Sequence, residues 1–176
     1  MQGSAGMADD HLAIYLNDHL AGSVVALELL RDLERAYSGQ PVQHFAAALR
    51  ADIEEDRGEL QRLMSKLNVS ESRARQATAW LAEKMTMVKL RLNDWAGGEF
   101  RLFEALEALS LGIEGKRGLW VALAGAAEQS PDLRLLDYDR LVARAQEQRT
   151  RVEAKRLETA TVALGRAGAL TPDTQS

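Results

Sequence analysis

Three side chains in this sequence have the type and spacing to do chemistry: His19, Asp56 and Glu107. Imidazole and carboxylate are the groups that hold a divalent metal, relay a proton or anchor a polar ligand. Their position singles them out, because helical periodicity puts them where apolar residues belong. In the first predicted helix the steps 12, 16, 19, 23, 27 and 30 carry His19 and Ser23 onto or beside the apolar stripe. In the second, the steps 49, 53, 56, 60 and 63 do the same for Asp56. Folding this hairpin about residue 40 sets position 19 opposite position 61. Asp56 then lies about 7 Å from His19 along the axis, at roughly 1.5 Å per residue, which leaves a His–Asp contact open. Glu107 falls one helical turn beyond Phe103, and Gln148 leans inward more weakly in the last helix. Two readings stand side by side. One is an internal site for a metal or a small ligand. The other is a buried polar cluster that fixes helix register at some cost in stability. Buried polar groups are paired in either case, so pairing does not separate the two.

Other chemistry is thinly represented. His11 sits at an exposed helix start and His44 in the first turn of the second helix, so both read as surface residues. The segment Gly112-Ile-Glu-Gly-Lys-Arg-Gly118 places a lysine and an arginine before a helix, but without P-loop spacing or a preceding strand; it reads as a turn with a basic rim. Neither Gly-x-Ser-x-Gly nor His-Glu-x-x-His occurs. With no cysteine, disulfides, zinc–thiolate sites and iron–sulfur clusters are excluded. A net charge of −4 with both signs mixed along the chain argues against nucleic acid, which needs clustered Lys and Arg. The richest basic stretch, 149–156, also holds Glu153 and reads as a solvated helix face.

The elements that must position these residues are helices. Prolines stand only at positions 41, 131 and 172, where a helix begins or a tail starts, and period-2 strand signals are nearly absent. The first helix is predicted over 9–38, with Leu12, Leu16, Leu20, Val24, Leu27, Leu30 and Leu33 inward. Gly39-Gln40-Pro41 ends it and opens an antiparallel second helix over 42–67, built on Phe45, Leu49, Ile53, Leu60, Leu63 and Leu67. Asn68-Val69-Ser70-Glu71 resembles a capping box and predicts a third helix to residue 92, with Trp80, Leu81, Met85 and Val88 on its stripe. A break at Gly97-Gly98 is followed by a helix over 99–113, with Phe100, Phe103, Leu106 and Leu109 or Ser110 inward. A second break falls at Gly112, Gly115 and Gly118, and helix resumes through Leu119, Trp120 and Val121 to 129. After Ser130-Pro131-Asp132 the last helix is predicted over 133–164, using Leu135, Tyr138, Leu141 or Val142, Ala145, Val152 and Leu157. Residues 1–8 read as a disordered start or expression scar, 9–166 as one domain, and 167–176 as a disordered tail. The fold class is all-α: an up-down four-helix bundle with an extra short helical segment and an interrupted third helix.

Three phrases carry a family resemblance: Tyr15-Leu-Asn-Asp-His-Leu-Ala-Gly-Ser-Val-Val-Ala-Leu-Glu-Leu-Leu30, Leu106-Glu-Ala-Leu-Ser-Leu-Gly-Ile-Glu-Gly-Lys-Arg-Gly-Leu-Trp120, and Leu141-Val-Ala-Arg-Ala-Gln-Glu-Gln148. Together they resemble a group of small bacterial ferritin-like proteins without assigned function. The resemblance implies a ferritin-like bundle. It does not imply ferritin chemistry. The broader family's di-iron site takes a Glu from each of two helices and a Glu-x-x-His from each of the other two. This chain has no Glu-x-x-His and no histidine after His44. Glu28, Glu55 and Glu107 supply carboxylates, but carboxylates with one distant imidazole make a poor iron site.

The resulting expectation is a non-catalytic bundle, without metal or cofactor, that acts through protein–protein contact or self-association as a homodimer. Trp80, Met85, Met87, Trp95 and Trp120 are the candidate exposed anchors. The alternative is a degenerate metal- or small-ligand site built on His19, Asp56 and Glu107. No membrane partner is expected, since no helix sets a basic face against a bulky apolar one. No signal peptide is read at the N-terminus, and the cytoplasm is the default compartment.

Overall fold

The computed structural model describes residues 3–71 and 98–165. Four α-helices make up the described part: α1 (Gly3–Ala36), α2 (Pro41–Lys66), α3 (Gly98–Gln129) and α4 (Tyr138–Gly165). A short 3-10 turn, Pro131–Leu133, stands between α3 and α4. Residues 72–92 of the expected third helix, with Trp80, Met85 and Met87, lie outside the described residues, as do Trp95, Gly97 and the tail 167–176. Among the described residues no helix is long and apolar enough to cross a membrane.

Local chemistry sets the helix ends. Gly39 turns the chain between α1 and α2 with φ +77°, a conformation that costs glycine little, and Pro41 opens α2. Asn68 ends α2: it sits at φ +55°, its N–H donates to the Ser65 carbonyl, and the Val69 N–H donates to that of Met64. These two bonds form a Schellman stop with asparagine in the left-handed position. The residue read as the start of the next helix therefore serves as the end of this one. Asn17, buried on α1, holds the exit in place by donating to the Ser70 carbonyl at 3.0 Å. At the other end, Arg134 donates to the last carbonyls of α3, at Ala127 and Glu128. Asp137 accepts the Arg140 N–H at the start of α4, five residues later than the periodicity places it.

The break predicted at Gly112, Gly115 and Gly118 does not occur, and α3 runs 32 residues through all three. Each interior glycine costs roughly 1 kcal/mol against alanine. Burial outweighs that cost: Leu102, Leu106, Leu109, Ile113, Leu119, Trp120 and Leu123 are all in the core, and a buried Leu or Ile contributes about 1.5–3 kcal/mol. The inward face differs in detail from the expectation. Phe100, Leu135 and Leu157 are exposed, while Trp120, expected at the surface, is 1% exposed.

The helices form two hairpins. Within the first, Arg50 on α2 donates to Glu34 on α1 at 2.6 Å. Within the second, Arg149 and Arg156 on α4 reach Glu114 and Glu107 on α3, so those helices are antiparallel. Across the α2–α4 seam, Asp52, Glu55 and Glu59 pair in order with Arg151, Arg144 and Arg140, so α2 and α4 are also antiparallel. The Tyr37 hydroxyl, just past α1, donates to the Gly98 carbonyl at the start of α3. The directions are therefore up, down, down, up. The two hairpins are joined by residues 67–97, which connect opposite ends of the bundle, rather than by the short links of a simple up-down bundle.

Candidate functional site

Asp56 occupies an apolar position between Ile53 and Leu60 on α2 and is 2% exposed. A carboxylate there is stable only if charge and hydrogen bonds replace the water it loses. Three helices supply them. Lys116, from α3, donates through Nζ to Asp56 Oδ2 and to Gln148 Oε1. Gln148, from α4 and fully buried, returns its amide N–H to Asp56 Oδ2 at 2.9 Å. Carboxylate, ammonium and amide thus close a triangle in which both ends of the glutamine are used. Arg144, one turn before Gln148, places Nε 3.3 Å from Asp56 Oδ1 as an ion pair without a hydrogen bond. The same guanidinium donates to Glu55 at 2.8 Å and to the Asp52 carbonyl at 3.1 Å. Burial holds the Lys116 ammonium below its ordinary value, and the nearby Asp56 carboxylate only partly opposes that shift.

A cavity of about 320 Å³ lies beside this cluster, between α1, α2 and α3. Its walls are chiefly apolar, with Leu29, Leu60, Leu109 and Leu119 among them. Asp56 and Lys116 reach it from the ionic cluster, and Asp18, His19, Ser23, Arg57 and Trp120 contribute the remaining polarity. The His19 ring packs edge-on to Tyr15 at 4.7 Å between centroids. Burial lowers its pKa below the ordinary 6.5, against a smaller opposing pull from Asp18, so the imidazole is neutral at neutral pH. The Arg57 Nε and Trp120 Nε1 atoms are buried without a hydrogen-bond partner among the described residues. Leaving a buried donor unpaired costs about 1–3 kcal/mol.

Of the three side chains singled out by periodicity, two meet at this cavity and one does not. Asp56 is where the pattern puts it. His19 lines the same cavity, but the hydrogen bonds of Asp56 go to Lys116 and Gln148. Glu107 is on the surface, with a side chain 53% exposed and paired at 3.6 Å to Arg156. The neighbouring positions 105, 106 and 109 are the inward ones, which rotates Glu107 out. Among the described residues no three His, Asp or Glu side chains gather into a group able to hold a metal ion. His11 and His44 are exposed.

Sequence reading missed Lys116, Arg144, Arg57 and Asn17. Lys116 was hidden by the glycines around it, which argued for a turn instead of a helix. One signal was present: Ile113, Lys116 and Trp120 are spaced three and four apart, which puts the lysine on the apolar stripe of an unbroken helix. Comparison of the chain with protein-family models, curated proteins and solved structures found no match in any of the three.

Proposed function

We propose that this chain is a non-catalytic helical-bundle protein that binds a small, largely apolar molecule in the cavity between α1, α2 and α3. One observation carries the reading: a chiefly apolar space of about 320 Å³, large enough for a ligand, has His19, Arg57, Asp18 and the Asp56–Lys116 pair on its wall. Small-ligand sites are concave, mostly apolar, and carry a few polar groups, at volumes from about 300 Å³ upward. The ionic triangle beside the cavity acts as scaffold in this account. Asp56 Oδ2, Lys116 Nζ and both ends of the Gln148 amide bond one another, which ties α2, α3 and α4 together at the level of the cavity. Two hairpins joined by one crossover also support a ferritin-like bundle, a class with one such connection.

The test is a thermal-unfolding screen with 1-octanol and the variant Ala108→Phe, which places a ring in the cavity from its α3 wall. At a ligand concentration of about 100 Kd, binding adds about 2.7 kcal/mol. For a chain of this size that raises Tm by roughly 5–11 °C. The wild type should show this rise and Ala108→Phe should not. An equal response in both proteins would place the binding elsewhere and refute the proposal.

The second reading is self-association, supported by the outer face of α3. Leu111, Gly115, Gly118, Ala122 and Gly125 follow one another at steps of three and four, and all are exposed, with Gly115 at the rim of the cavity. Leu111 is 69% exposed, with Val121 beside the stripe at 48%. An uncharged, exposed helix face of this length suits contact with a second copy of the chain. Sedimentation velocity tests it: the wild type should run as a dimer and Leu111→Glu as a monomer. A wild-type monomer at high micromolar concentration would rule it out.

A further inference from the structure

We infer that the cavity ligand is an amphiphilic monoanion, a carboxylate on a short hydrocarbon body, and that Arg57 recognises its head. This rests on the small-molecule reading above and adds the class of ligand. The charges around the cavity carry the argument. The Asp56 carboxylate is already matched by Lys116 and Arg144, two cations for one buried anion, with Glu55 taking the outer side of Arg144. Along α2, Arg50 pairs with Glu34 and Glu54, and Arg62 pairs with Glu59. Arg57 alone among the α2 arginines makes no ion pair or hydrogen bond among the described residues, and its Nε is buried. Asp18, the other carboxylate at the cavity, is solvent-exposed on α1.

Guanidinium offers donors only, in a planar fork that matches a carboxylate through two parallel bonds. The indole N–H of Trp120, also unpaired, is likewise a donor that only an acceptor can satisfy. Asp56 Oδ1, a buried acceptor without a hydrogen bond, is matched by the Arg144 cation at 3.3 Å. The donors left over at the cavity therefore ask for acceptor oxygens and one negative charge, set against a wall of leucines. The size of the space limits the rest of the molecule. At roughly 30 Å³ per non-hydrogen atom, the share a water molecule takes in the liquid, the cavity holds about ten atoms. Octanoate has the right size.

Isothermal titration with three matched probes, octanoate, 1-octanol and octylammonium, below their aggregation limits, tests both layers separately. The expected result is octanoate binding at least tenfold tighter than 1-octanol, with octylammonium weakest. In Arg57→Gln the octanoate preference over 1-octanol should fall to about one. The urea-unfolding midpoint and m-value of the variant, measured separately, show that it is folded. Equal affinity of the wild type for octanoate and 1-octanol would overturn the assignment of an anionic head and leave the cavity reading standing. A preference for octanoate that persists in Arg57→Gln would overturn the role of Arg57. Failure of all three probes to bind would overturn both the inference and the reading beneath it.

Discussion

Replacing Asp56 by leucine is the most informative single perturbation of the scaffold. In the wild type the carboxylate accepts from Lys116 and Gln148 and faces Arg144 at 3.3 Å. Asp56→Leu leaves Arg144 with Glu55 and the Asp52 carbonyl, so that cation keeps its partners. Lys116 keeps only the Gln148 oxygen, at a site where its side chain is 16% exposed. Removing one partner of a buried pair costs about 3–5 kcal/mol, most of it from the stranded charge. Because one of the two cations stays paired, the lower part of that range applies, about 3–4 kcal/mol. For a chain of this length the loss corresponds to a fall in Tm of roughly 6–16 °C. The double variant Asp56→Leu/Lys116→Met removes both charges and should recover to within about 1 kcal/mol of wild type, since apolar replacement of buried pairs is often neutral or better. Urea unfolding measures each case, with an unchanged m-value as the check that the denatured state is the same. Glu107→Gln is the surface control and should stay within about 0.5 kcal/mol. A loss below 1 kcal/mol in Asp56→Leu, or a double variant no better than the sum of its singles, would show that the triangle is not a closed buried unit.

Two further outcomes follow from the same structure. Because burial depresses the His19 pKa, the unfolded chain takes up a proton before the folded one does as pH falls. The contribution of His19 to stability is thus full above pH 6.5 and is lost progressively as pH falls from there to the lower folded value. Urea midpoints at pH 7.5 and pH 5.5 should differ less in His19→Gln than in wild type, and an unchanged difference would contradict a half-buried neutral imidazole. Gly125→Ala on α3 should stabilise the protein by about 0.5–1 kcal/mol, because an added methyl meets nothing within 4 Å and the helix gains in propensity. Destabilisation would mean that the outer face of α3 is covered.

Most of the architecture was legible in the sequence because apolar periodicity and stop signals act locally. The stripe of α2 and the Gly39–Pro41 corner appear in the structure within a residue of where the pattern places them. Asp56 and Gln148 were legible for the same reason, as polar residues at inward steps. Failures came where a tertiary effect outweighed a local one. Glycines 112, 115 and 118 signal a break, yet the leucines around them supply enough burial to carry the helix through. Glu107 was misplaced by choosing the wrong residue of a near-continuous apolar run as the inward one, in a helix apolar on almost every side. Asn68 fits both a helix start and a helix stop, and only its positive φ separates the two. The parallel run of α2 and α3 depends on which ends meet, as at Tyr37 and Gly98, and no local pattern encodes that.

Calorimetric titration of 1-octanol at several temperatures into wild type and Ala108→Phe decides whether the space between α1, α2 and α3 is a binding site. The wild type should show one saturable site per chain, with a negative heat-capacity change from burial of apolar surface, and the variant should lose that site. An absence of saturable heat in the wild type, or the same isotherm in both proteins, would contradict it.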